Sequence, residues 1–386
     1  MDRAWLGSET ARPPPALRHA HLQRDSRHMV EGGPVTQDTG LPAKSHDLAR
    51  THPLTMFGID ALVFGSARLR PEKTALCDHG ENGEETMAFS DLEKTARAFA
   101  ARLGAFGLAP GARILLCCPA HGHSLAAITG IVAAGCEPVL APALFSPNAL
   151  AKAARTVAAE ALIAPAQTGE HHISEILLNI AARAPGLRLL GSLSPEPAEG
   201  LVDFSPAGLL AAAVRPASPA PERWTLGDRL GSIDRDGAAA FVKQSALLGH
   251  GFDLVRETRH GGGAAPIVSL ASPGTFAGLV AGPLAALLSG AELHFMAPFG
   301  AGAFLSLLRR VGPVRLVAPA AALPDLAQSG LLQNGALLSC AVVGSLEEGM
   351  PVQAPEDSCP ILAISDAGGA LTISALFEAE PAERVA

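Results

Sequence analysis

Cysteine and histidine are the residue types in this chain that could bind a metal ion or supply a nucleophilic thiol. The six cysteines are scattered, and Cys117 and Cys118 are adjacent within a stretch that has the pattern of a buried strand. This spacing indicates neither a disulfide framework nor a zinc site. His171 and His172 are also adjacent, so their side chains diverge on a helix or a strand, and no cysteine or carboxylate pattern joins them. We therefore expect reduced structural thiols and no metal site.

Length and charge restrict the function classes. The chain has 386 residues, a formal net charge of -8 and no tyrosine, and no basic patch favours nucleic acid as a partner. Residues 1–55 lack the apolar segment of a secretory signal, so we expect a disordered tail on a cytoplasmic protein. Met29 and Met56 both precede the folded part, and either could be the true start.

A long uncharged stretch, Gly261 to Ala291, raises the question of a membrane span. Pro266, Pro273 and Pro283 interrupt it, whereas a spanning helix needs about 20 consecutive apolar residues. We expect buried helices and strands here and no transmembrane segment.

Hydrophobic periodicity between residues 92 and 118 predicts a helix followed by a strand. Apolar residues recur at helical spacing from Leu92 to Leu108, and Ser90 with Glu93 has the pattern of a capping box. The run from Ile114 to Cys118 is continuously apolar and bounded by turn residues, which is typical of a strand buried on both faces. Alternation of this kind predicts a mostly parallel α/β sheet.

The stretch 195–221 is rich in proline and alanine, and it predicts a surface connector inside the domain, with a short helix from Pro206 to Val214.

Several segments together resemble the adenylate-forming superfamily, which contains the acyl-CoA synthetases and AMP-dependent ligases. The matching segments are RPEKTAL at 70–76, FSDLE at 89–93, LAPGARILL at 108–116 and TGIVAAGCEPV at 129–139. The resemblance implies an α/β fold in which mostly parallel sheets are flanked by helices. It assigns residues 56–386 to the large N-terminal domain of that family, with the small C-terminal lid domain absent and the motifs degenerate.

The family holds ATP phosphates in a Ser/Thr/Gly-rich loop that ends in Pro-Lys-Gly. The resemblance places a degenerate form of this loop between residues 240 and 252, where the corresponding residues are Lys243, Ser245, Gly249 and Gly251. The threonine-rich centre and the lysine after the proline are missing. Leu247 and Leu248 supply neither the donors nor the positive charge that a polyphosphate needs. Lys243 or Arg256 could substitute from another direction.

The resemblance also places a nucleotide or acyl pocket beyond the carboxyl ends of the strands, where open parallel sheets bind ligands. Its candidate residues are Ser272, Gly344, Ser345, Ser365, Asp366, Gly368 and Gly369. Where relatives carry a Thr-Glu pair that contacts phosphate and Mg²⁺, this chain has Ala370 and Leu371, which lack an oxygen ligand. Each glycine has an equally good interpretation as turn chemistry.

Three functions remain open from the sequence. The first is a diverged ligase-like protein impaired in adenylation, which binds an acyl or aryl ligand, an active ligase or an acyl carrier protein. The second is an active ligase for fatty or aryl carboxylates that uses ATP, Mg²⁺ and coenzyme A, either through substitute residues or with the lid and its catalytic lysine supplied by a partner chain. The third is a decayed product without a selected role.

Overall fold

The computed structural model describes residues 57–80, 83–142, 145–168, 171–212, 228–234, 236–258, 265–345 and 358–377. The disordered tail expected over residues 1–55 lies outside this part of the chain. All described residues belong to one unit, Lys44–Ala386.

Helices and strands alternate along most of the described chain. The helices are α1 (Ile59–Leu69), α2 (Phe89–Ala105), α3 (Gly122–Ala133), α4 (Pro147–Thr156), α5 (Ile173–Arg183), α6 (Pro206–Ala212), α7 (Gln244–Glu257), α8 (Phe276–Leu279), α9 (Ala285–Ser289), α10 (Ala301–Val311) and α11 (Leu323–Gln328). A π-helical turn, Val280–Leu284, joins α8 to α9, and a 3₁₀ turn, Ala320–Ala322, precedes α11.

The strands are β1 (Thr74–Gly80), β2 (Gly83–Ala88), β3 (Arg113–Cys118), β4 (Glu137–Pro142), β5 (Ala161–Ala164), β6 (Gln167–Thr168), β7 (His171–His172), β8 (Leu189–Ser192), β9 (Val202–Asp203), β10 (Arg229–Ile233), β11 (Ala239–Lys243), β12 (Ile267–Ser269), β13 (Leu293–Met296), β14 (Val314–Pro319), β15 (Leu337–Val343), β16 (Ile361–Ala367) and β17 (Ala370–Phe377). The order of helices and strands confirms the predicted α/β class.

Two mostly parallel sheets form the framework. The eight-stranded sheet has the order β17-β16-β15-β14-β12-β13-β1-β2. Its edge strand β17 runs antiparallel to β16, and its other edge strand, β2, runs antiparallel to β1. The seven-stranded sheet has the order β11-β10-β4-β3-β5-β8-β9, with β11 as its antiparallel edge. Strands β6 and β7 form a separate two-stranded ribbon.

The apolar core forms three clusters around these sheets. The largest joins side chains of both sheets with α2, α3 and the segment from α8 to α9, which therefore lie between the sheets. A second cluster packs α4 and α5 on the smaller sheet, and a third packs α10 and α11 on the larger one. Helix α3 is buried from Gly122 to Val132, which explains why its sequence is apolar on all sides.

The predicted helix and strand near residue 100 are present as α2 and β3, and β3 is buried as expected. The predicted capping box is wrong. Helix α2 begins at Phe89, and its N-cap, Ala88, makes no side-chain cap. The N–H groups of Phe89 and Ser90 donate to the carbonyls of Lys73 and Pro71, at 3.1 and 3.0 Å. Backbone carbonyls thus satisfy the first free donors of the helix.

Two further predictions concern the middle of the chain. The short helix in the connector is present as α6, which ends at Ala212; residues 213–221 lie outside the described chain. The predicted surface location of the connector is wrong for part of this stretch, because Phe204 and Leu209 are buried in the core.

From residue 265 to 291 the uncharged stretch forms β12 and the α8–α9 segment, as expected. No helix in the described ranges has the length and apolar character to cross a bilayer.

Candidate functional site

Parallel pairing brings the predicted pocket residues towards one edge of the eight-stranded sheet. Strands β12, β14, β15 and β16 run parallel, so their carboxyl ends share this edge. Ser272 follows β12, Gly344 follows β15, and Asp366 lies at the end of β16. This is the edge where open parallel sheets bind ligands.

The turn after β15 is fixed by backbone contacts. Gly344 has a φ of 111°, a conformation that favours glycine. Its N–H donates to the carbonyl of Ile364 at 3.0 Å, which holds the turn against β16. Ser345 is exposed beside it. The positive φ that this turn requires is therefore sufficient to explain why residue 344 is a glycine.

The hairpin between β16 and β17 carries four of the predicted pocket residues. Gly368 and Gly369 form its turn with φ values of 59° and 88°. The Ser365 and Thr372 hydroxyls are 2.7 Å apart across the hairpin.

Asp366 stabilises this turn from within. Its Oδ1 accepts a hydrogen bond from the Gly369 N–H at 3.2 Å. Burial raises the pKa of Asp366, while the N–H groups of Gly369 and Phe276 lower it as hydrogen-bond donors. The contact with Phe276 links the hairpin to the start of α8, so Asp366 acts as a local anchor.

Ser272 connects the two sheets. Its hydroxyl donates to the carbonyl of Cys118, at the end of β3, over 2.6 Å, and it accepts from the Gly274 N–H at 3.0 Å. Gly274 lies so close to β4 that a Cβ there would be 2.4 Å from the carbonyl oxygen of Ala141. The structure thus brings Gly344 and Asp366 together through β16 but gives Ser272 a separate structural task.

The predicted phosphate loop at residues 240–252 is not a loop. Residues 239–243 form β11 and pair antiparallel with β10, and α7 begins directly at Gln244. Lys243 is exposed at the junction, and Ser245 lies in the first turn of α7. Gly249 and Gly251 are buried in α7, where a Cβ on Gly251 would meet Leu288 at 2.9 Å. These small residues allow close packing of helices, because Leu247, Leu248 and Leu254 give the segment a helical apolar face.

A tight turn does occur ten residues earlier, between β10 and β11. The carboxylate of Asp234 accepts hydrogen bonds from the N–H groups of Asp236 and Ala238, at 3.0 and 2.8 Å. The N–H of Gly237, where φ is 75°, donates to the carbonyl of Asp234 at 2.9 Å. Successive N–H groups in such a turn can bind an anion. Here the carboxylate of the chain itself accepts two of these bonds.

A polar cleft of about 220 Å³ lies near the carboxyl end of β1, and the sequence did not reveal it. Three carboxylates and two histidines line it, beside Ala297. These residues are Asp78, Glu84, Glu85, His79 and His121, and Asp78 is the most buried of the carboxylates. The alternation of Asp78 with Cys77 and His79 on β1 was the available sequence signal.

Asp78 is the best-defined group in this cleft. Its carboxylate accepts from the Gly122 N–H at 2.8 Å and lies 3.2 Å from Nδ1 of His121. Burial raises the pKa of Asp78 to about 6, and the nearby His121 opposes this effect. The Asp78 carboxylate therefore joins the end of β1 to the beginning of α3.

Comparisons with known proteins agree with this architecture. The family model for AMP-binding enzymes matches residues 63–222. A search of curated proteins found no match. Among solved structures, the apo form of MbtA from Mycobacterium smegmatis has a TM-score of 0.65 at 19% identity, covering 86% of this chain and 62% of that one.

Two further structures have the same fold. The acyl-CoA synthetase of Brucella canis has a TM-score of 0.64 at 16% identity, covering 87% of this chain and 65% of its own. A benzoate CoA ligase from Burkholderia xenovorans LB400 has a TM-score of 0.60 at 23% identity, covering 81% and 61%. The chain therefore spans less than two thirds of the length of these structures. The family match shows that residues 63–222 are similar to AMP-binding enzymes, and the solved structures show that the chain shares their two-sheet fold.

Proposed function

We propose that this protein is a diverged, ligase-like member of the superfamily in which ATP-dependent adenylation is impaired. In this proposal it serves as a binding module for an acyl ligand or a protein partner in the cytoplasm. ATP, Mg²⁺ and coenzyme A would be its cofactors only if the alternative, an active carboxylate–CoA ligase, is correct.

The observation that carries the proposal is the occupied turn between β10 and β11. Two of its N–H groups already donate to the Asp234 carboxylate. A phosphate would have to displace that carboxylate and would also meet the exposed Asp236. The negative charges of the phosphate and of these carboxylates would repel each other, whereas a polyphosphate site needs convergent hydrogen-bond donors and cations.

The cations considered from the sequence are not placed to offset this charge. Lys243 lies at the far end of β11, about 13 Å along the strand from Ala239, which adjoins the turn. Arg256 lies on α7 and contacts the carboxylates of Asp253 and Glu257 at 3.6 and 3.0 Å. Both positions support impaired phosphate binding.

The position of the missing Thr-Glu pair points in the same direction. Ala370 and Leu371 open β17, and the Leu371 side chain is buried in the largest core cluster. A hard cation such as Mg²⁺ binds through oxygen ligands, which these side chains lack. The residues present therefore do not fit Mg-ATP, and we derive no chemical step through it.

Isothermal titration of the full chain tests this proposal. The titrants are Mg-ATP, AMP, a panel of fatty and aryl carboxylates, a purified acyl carrier protein and a purified active ligase. We expect no saturable heat with Mg-ATP and saturable heat with a carboxylate or a protein titrant. Micromolar affinity for Mg-ATP would contradict the proposal and favour the active ligase.

A further inference from the structure

Three side chains with metal-binding donors converge on one face of the eight-stranded sheet. Cys77 and His79 are two residues apart on β1, so both point to the same face. His294 on the neighbouring strand β13 is the register partner of Cys77. On the other side, β2 places Glu84 opposite His79. The strand pairing therefore gathers a thiol, two imidazoles and a carboxylate.

The donor atoms have the spacing of ligands that share one ion. The Cys77 Sγ is 3.4 Å from Nε2 of His79, and that nitrogen is 3.0 Å from Nδ1 of His294. The three donor atoms all lie within 4.8 Å of one another. Tetrahedral zinc with ordinary bond lengths separates two nitrogens by about 3.3 Å and a sulfur from a nitrogen by about 3.6 Å. Small adjustments of the side chains would reach those values.

The outer nitrogens of both rings face carboxylates. Nδ1 of His79 is 3.8 Å from Glu84, and Nε2 of His294 is 3.8 Å from Glu292. His294 is 4% exposed, and its Nε2 is buried without a hydrogen-bond partner. A carboxylate beside the outer nitrogen favours the tautomer with its proton there, as in metal-bound histidines. The inner nitrogens then face each other with lone pairs, an arrangement that a cation would stabilise.

The two imidazole rings are stacked, with their centroids 5.3 Å apart and their planes 20° apart. Neutral imidazoles are the form in which histidine binds a metal ion.

The surroundings supply a fourth ligand and an access route. Glu84 is exposed and contacts both Cys77 and Arg310 on α10, so its carboxylate lies at the rim of the cluster. His79 and Glu84 also line the polar cleft, which leads to solvent. An ion could enter there, while His294 closes the inner side.

We propose that Cys77, His79 and His294 form a Zn²⁺ site, with Glu84 in the fourth position. Thiolate and imidazole are the donors that zinc prefers, and tetrahedral coordination suits this number of ligands. On binding, the Cys77 thiol releases its proton to solvent and the sulfur forms the bond to zinc. Glu292 is a positioning residue, because it faces the outer nitrogen of His294.

Zinc titration of the metal-stripped full chain, followed by calorimetry, tests the site. We expect one Zn²⁺ per chain and a rise in the melting temperature. Loss of a ligand in Cys77→Ser or His294→Gln should weaken binding by more than the roughly 10–100-fold expected for Glu292→Gln, which loses only an outer contact. Cys359→Ser, a half-buried cysteine outside the cluster, is the matched control and should bind as the wild type does.

Cobalt substitution keeps the test decisive if a variant folds poorly. Co²⁺ bound by the wild-type chain should give a thiolate-to-metal charge-transfer band, and Cys77→Ser should lose it. The proposal is overturned if the stripped wild-type chain binds neither Zn²⁺ nor Co²⁺, which would leave a hydrogen bond between the two rings. It is equally overturned if Cys77→Ser and His294→Gln bind zinc with wild-type affinity, because the ion would then lie elsewhere.

Discussion

Replacing Gly130 with alanine should test the close packing of the two central helices. Gly130 is buried in α3, and a Cβ there would lie 2.6 Å from Cβ of Phe99 and 2.7 Å from the carbonyl oxygen of Ala96, both on α2. Since one neighbour is backbone, the helices must separate. Overpacking of a core typically costs up to about 3 kcal/mol, and the better helix propensity of alanine returns about 1 kcal/mol. We expect a net loss of about 2 kcal/mol.

Gly65→Ala provides the matched control for this prediction. Gly65 lies within α1, and a Cβ there would meet nothing within 4 Å. This substitution should stabilise the fold by about 0.5–1 kcal/mol through helix propensity alone. Urea unfolding followed by far-UV circular dichroism measures both variants, and they should differ by about 3 kcal/mol. Equal stability of the two variants would refute the argument that α2 and α3 touch through the Gly130 surface.

Two further predictions use the same unfolding measurement. Burial lowers the pKa of His123 from 6.5 to about 4 in the folded chain. Between pH 6.5 and pH 4, His123 is therefore protonated in the unfolded chain and neutral in the folded one. The contribution of His123 to the free energy of unfolding is complete above about pH 6.5 and about 2 kcal/mol lower at pH 5. His123→Gln should therefore reduce the fall of the unfolding free energy between these pH values. An unchanged pH dependence in the variant would contradict this. Asp234→Ala should cost about 0.5–1 kcal/mol, because two turn N–H groups lose their acceptor. Asp236→Ala is its control, and an equal effect would count against the capped turn.

Local patterns in the sequence predicted the parts of the fold that depend on local physics. The periodicity of α2 and the apolar run of β3 come from burial of one face or of both, so they were readable. The capping box failed because carbonyls from residues 71 and 73 took the place of a side chain. That contact depends on how the preceding turn folds, which the motif does not encode.

The candidate sites depended on long-range pairing and were harder to predict. The small residues Gly249 and Gly251 suggested a phosphate loop, but the leucines before and after them give the segment a helical apolar face. A count of helical spacing would have shown this. The alternation of Cys77 and His79 was visible, yet His294 joins them only through the pairing of β13 with β1, 215 residues away along the chain. No local pattern reports such a partner.

The most direct test of impaired adenylation is acid-dependent exchange of labelled pyrophosphate into ATP. The full chain is incubated with Mg-ATP and each of the fatty and aryl carboxylates, beside an active carboxylate–CoA ligase as a positive control. Because Asp234 occupies its turn and Leu371 supplies no oxygen ligand, we predict no exchange above the rate without protein. Exchange that depends on one of the acids would show that an acyl-adenylate forms, and it would contradict the central claim.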